Sequence, residues 1–94
     1  MTDTLPSLKS FTSTLDMAID YVKDELETFL EDATDDSDMI DAVRRLRYLR
    51  VLNHFCTKFN AVPTRNQAMN RGVPLRLYDE MHTMATDMDK WDNE

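Results

Sequence analysis

Apolar residues in the first third of the chain recur at Leu8, Phe11, Leu15, Ala18/Ile19, Val22, Leu26 and Phe29/Leu30, in steps of three and four. At 100° per residue they fall within an arc of about 120°, which predicts a long helix with one buried face. The same spacing suits a coiled-coil-like contact with a partner helix. The opposite face carries Asp16, Asp20, Asp24, Glu27 and Glu31 in one line. Residues 1–7 read as a tail or a helix entry. The helix starts either near Pro6, which suits a first turn, or later, with Ser13 as cap and Asp16 three residues on.

Glu31 to Asp38 forms an acidic joint, where like charges and short polar residues disfavour helix. Ser37 or Asp38 then caps a second helix, predicted from about Met39 to Asn60. Met39, Ala42/Val43, Leu46 and Leu49 share one side of it. Tyr48, Leu52, Phe55, Cys56 and Phe59 cover a wider side, so more than one neighbour is expected to cover this helix. The remaining line is Arg47, Arg50, His54 and Lys58. It is basic from end to end.

Pro63 breaks the chain and restrains Val62. Thr64 can cap a short helix reaching Asn70, with Gly72, the only glycine, past its end. Pro74 suits the first turn of a last helix, on which Leu77/Tyr78, Met81, Met84/Ala85, Met88 and Trp91 share a face. Met81, Met84 and Met88 read as adaptable core filling or, alternatively, as a permissive binding surface, with Tyr78 and Trp91 packing against the long helices. Asp89, Asp92 and Glu94 oppose the helix dipole, so residues 92–94 are expected to fray. The predicted fold is a single all-α domain over residues 1–94. It is a small helical bundle built on a long antiparallel helical hairpin, plus a short helix and a C-terminal helix.

Charge divides the chain differently. Met1 to Asp41 carries −10, Ala42 to Tyr78 carries +8 with no acid at all, and Asp79 to Glu94 carries −5, which sums to −7. Field depends on that distribution more than on the net figure. The candidate partner- or nucleic-acid-binding edge is Arg44, Arg47, Arg50, His54, Lys58, Arg65, Arg71 and Arg76. The acidic face of the first helix is its counterpart. One cysteine cannot form an internal disulfide, so a reducing, cytoplasmic location is expected. The sequence has no signal-peptide pattern and no apolar run near the roughly 20 residues of a membrane span, so no membrane partner is expected.

Catalytic chemistry finds little support. Cys56 and His54 lie about 160° apart on their helix at 100° per residue, so they do not face each other. Asp79 and His82 are three apart, but two ligands do not make a zinc site. The acidic joint fails as a calcium loop: counting from Asp32, the sixth position is Ser37 and the twelfth is Val43. No enzyme activity, metal, cofactor or small-molecule substrate is expected.

Ala68, Gly72 and Val73, followed by a helix, match the small-residue and turn positions of a helix-turn-helix, and Arg65, Arg71 and Arg76 would suit phosphates. Gln67 and Arg71, however, fall where that motif wants apolar residues. The order of elements over Leu15 to Phe59 (long helix, acidic joint, second helix, then a basic segment) resembles the small terminase subunits of short-tailed phages. That resemblance implies a ring-forming subunit that engages DNA for packaging. The acid line spans roughly 22 Å at 1.5 Å per residue. It holds five carboxylates where one DNA strand holds about six or seven phosphates at 3.4 Å per charge, so it could also mimic nucleic acid and inhibit a nucleic-acid-binding protein. The first expectation is a non-catalytic interaction protein, self-associating, that assembles with or regulates a larger partner. The two charged lines would then meet between copies.

Overall fold

The computed structural model describes residues 5–32 and 36–92. Four helices make an all-α bundle: α1 (Leu8–Asp32), α2 (Asp36–Phe59), α3 (Arg65–Asn70) and α4 (Leu75–Asp92). α1 is the common neighbour. α2 pairs with it to form the long hairpin, α4 packs on it as well, and α3 sits against α4. The 25 residues of α1 span about 37 Å at 1.5 Å per residue, so the hairpin accounts for most of the 45 Å long axis. No helix of the described residues is long and apolar enough to cross a membrane.

α1 begins earlier than the Ser13 alternative. Ser7 is its cap: the Ser7 hydroxyl accepts the Ser10 N–H at 3.2 Å, and the Ser7 carbonyl accepts the Phe11 N–H at 3.0 Å. The buried stripe is Phe11, Leu15, Ile19 and Val22, as the spacing predicts. Thr14 is also fully buried, and its hydroxyl is satisfied by donating to the Ser10 carbonyl at 2.8 Å.

α2 starts three residues before the predicted Met39, which places Ser37 and Asp38 inside its first turn rather than at its cap. Acids there still favour the helix through its dipole. The centre of the acidic joint, residues 33–35, lies outside the described residues, as do the last two residues of the expected frayed end. Ala42, Leu49, Leu52, Phe55 and Cys56 are buried, while Leu46 and Tyr48 are only half-buried. Phe59, the last residue of the helix, stays 48% exposed. Asn60 ends it with φ 51°, a left-handed conformation that Asn tolerates better than most residues.

The α3 entry is a full capping box. Thr64 Oγ1 accepts the Gln67 N–H, and Gln67 Oε1 accepts the Thr64 N–H at 2.9 Å. Its exit is a Schellman turn: Gly72 N–H donates to the Met69 carbonyl at 3.0 Å and Val73 N–H to the Ala68 carbonyl at 3.1 Å. Gly72 holds φ 84° there. The buried Tyr78 hydroxyl donates to the Pro63 carbonyl at 2.6 Å, which ties α4 back to the chain break.

Tyr78, Met81 and Ala85 bury α4's inner stripe, with the Phe11 and Tyr78 rings 6.2 Å apart. Two expectations fail on this helix. Trp91 is 78% exposed and Met84 is 47% exposed, so neither packs on the long helices. At 100° per residue they sit roughly 90–110° round the helix from that stripe, past the edge that α1 covers.

Candidate functional site

The two charged lines lie on the outer faces of the hairpin. Asp16, Asp20, Asp24, Glu27 and Glu31 are all exposed along α1. Their mean direction is about 160° from the Phe11–Leu15–Val22 stripe that meets α2 and α4. Arg47, Arg50, His54 and Lys58 are exposed along α2, about 170° from its Leu49–Leu52–Cys56 stripe. The lines therefore point away from each other across the hairpin. Among the described residues the ion pairs are Arg45–Glu25 at 3.9 Å and Arg65–Asp79 at 3.1 Å. Neither uses a member of the acid line or of the α2 basic line.

The candidate basic residues do not form one edge. Arg47, Arg50 and His54 are joined by Arg71, from the turn after α3, around a groove of about 630 Å³ with Val43, Leu46 and Val51 as its apolar lining. Arg44 and Arg76 line a second groove between α2 and α4, together with Asp41 and Glu80. Lys58 lies 5.4 Å over the Phe59 ring. Arg65 is held by Asp79, Nε to Oδ1 at 3.2 Å and Nη2 to Oδ2 at 3.1 Å. Of eight candidates, four converge.

Arg71 owes its place to stacking. Its guanidinium lies 4.9 Å from the Phe55 ring centroid and 5.4 Å from that of Phe59, whose rings are themselves 4.6 Å apart. A cation over aromatic faces is attracted by the ring quadrupole and keeps its charge available at the groove rim. Nothing in the spacing of Arg71 announces this contact, because the two phenylalanines lie on a different helix.

The helix-turn-helix features are present locally. Ala68, Val73, Tyr78 and Met81 are buried around the Gly72 turn. The two residues that depart from the motif have other employment, Gln67 in the capping box and Arg71 on the phenylalanines. Of the arginines suited to phosphates, Arg65 is already occupied by Asp79 and Arg71 faces the α2 groove. The exposed side of α4 presents Asp79, Glu80 and Asp87.

The remaining candidates for chemistry are dispersed. Cys56 is buried, and that burial pushes its thiol up to about 11, with only a backbone hydrogen bond opposing, while His54 is exposed on another side. A thiol so raised is protonated at neutral pH and is a poor nucleophile. Asp79 serves Arg65, and the His82 ring lies 5.9 Å from that of Tyr78. Asp89, expected only to oppose a dipole, accepts hydrogen bonds from Ser7 and Ser10 at the start of α1. Those bonds hold its carboxyl below the ordinary value, the Ser10 hydroxyl contributing most. Comparison with protein-family models, with curated proteins and with solved structures finds no match for this chain.

Proposed function

We propose that this protein is a non-catalytic interaction module that self-associates and, in doing so, assembles with or regulates a larger macromolecular partner. One observation carries the reading: two exposed lines of opposite charge run on opposite outer faces of one hairpin, and no ion pair joins them among the described residues. Complementary faces that cannot meet within a chain can meet between chains. Exposed apolar side chains accompany them, including Tyr21, Met17 and Leu30 on α1 and Ile40 and Val43 on α2. Charge then sets register and encounter rate, while the apolar surface supplies affinity, because exposed ion pairs contribute only about 0–1 kcal/mol each. The single reduced cysteine suits a cytoplasmic setting.

Sedimentation of the purified chain across a salt series, with and without duplex DNA, tests this reading. Assembly at low salt that weakens as salt rises, unchanged by DNA, supports it. A monomer at every salt overturns it. A particle that forms only when DNA is added moves the basic groove to nucleic-acid binding instead.

A further inference from the structure

We infer that the groove on the outer face of α2 is the seat for α1 of a second copy, with Met17 and Tyr21 as its apolar anchors. This rests on the self-association reading and names the surfaces that would perform it. The groove offers an apolar lining of Val43, Leu46 and Val51 within a basic rim of Arg47, Arg50, His54 and Arg71. Its occupant must therefore be apolar along its spine and acidic beside it. The outer face of α1 has that chemistry. Met17 and Tyr21 are one turn apart and 51% and 67% exposed, and Asp16, Asp20 and Asp24 run alongside at the same one-turn interval. That interval, about 6 Å at 1.5 Å per residue, is close to the spacing of Arg47, Arg50 and His54 along α2.

Arg71 strengthens the match. Stacking on Phe55 and Phe59 fixes its guanidinium at the rim before any partner arrives, so little side-chain entropy remains to be lost on docking. Tyrosine is a favoured interface anchor for a related reason, since it brings a large contact area with few rotatable bonds. The two surfaces lie on opposite outer faces of the hairpin, so two copies cannot exchange both contacts at once and the contact is heterologous. Each copy gives its α1 to one neighbour and receives another α1 in its own groove, which builds a closed ring or an open chain rather than a two-fold dimer.

Two charge-reversed chains test this. One carries Arg47→Glu and Arg50→Glu, the other Asp20→Lys and Asp24→Lys. All four positions are exposed, and circular dichroism is to check that each variant is folded. Each variant alone is expected to be monomeric at a salt where the wild type assembles, and an equimolar mixture is expected to restore assembly. A Tyr21→Ser chain should assemble about tenfold more weakly, with Tyr21→Phe close to wild type. A mixture that stays monomeric overturns the inference, and so does a double variant that assembles like the wild type. Loss with the arginine variant alone also overturns it, because another acidic face, such as the α4 edge around Met84, then fills the groove. Failure of the wild type itself to assemble sinks the self-association reading; failure of these variants, with the wild type assembling, sinks only the choice of surfaces.

Discussion

Asp89 caps Ser7: its Oδ2 accepts the Ser7 N–H at 2.6 Å and its Oδ1 accepts the Ser7 hydroxyl at 2.6 Å. The last turn of α4 thus supplies the negative charge that the start of α1 lacks, since α1 has no acid in its own first turn. A carboxylate at a helix N-terminus is favoured both by the exposed N–H groups and by the dipole. Because its carboxyl is held below the ordinary 3.8, Asp89 stabilises the folded chain above that pH and loses the contribution as pH falls through the lower folded value. Thermal unfolding of the wild type and of Asp89→Asn should differ by a constant amount from neutral pH to near 4. The gap should then close on further acidification. A gap independent of pH would remove Asp89 from this role.

The hydrogen bond from Tyr78 to the Pro63 carbonyl joins α4 to the break after α2 within the core. Tyr78→Phe keeps the ring against Phe11 but strands a buried acceptor. The expected loss is about 1–2 kcal/mol in urea unfolding, with the slope unchanged.

Gly72 has open space around it, with nothing within 4 Å of an added Cβ, yet it holds φ 84°. The cost of Gly72→Ala is therefore conformational rather than steric. Urea unfolding should register a loss of about 1 kcal/mol, and Gly72→Asn should lose less because Asn enters the left-handed region more readily.

Leu15 and Leu49 are fully buried where α1 and α2 form the shared core, whereas Leu30 is 73% exposed. Leu15→Ala or Leu49→Ala should lose about 2–5 kcal/mol. Leu30→Ala should stay within about 0.5 kcal/mol, although the sequence pattern puts Leu30 on the same apolar face.

Leu30 illustrates what the sequence carries and what it does not. Periodicity predicts the helix and its buried stripe because both depend on one helix alone. Which edge of the apolar arc is covered depends on where the neighbours sit round the helix, which is why Leu30 emerges exposed beside the half-buried Phe29, and Trp91 emerges exposed on α4. The Thr64 cap and the Gly72 turn were readable, since capping is local chemistry. The Ser7–Asp89 contact was not, because it joins residues 82 positions apart. The acid line and the α2 basic line were visible as helical arcs, but the convergence of Arg71 on Arg47, Arg50 and His54 required the fold. The same fold turned Arg65 aside onto Asp79.

Self-association through unlike faces is the property proposed for this chain. Its most direct test is the sedimentation of the wild type at fixed protein concentration, in about 50 mM and then about 500 mM salt, since screening length falls steeply between them. An assembled particle is expected in the first condition and a shift toward monomer in the second. A single monomeric species in both would contradict it.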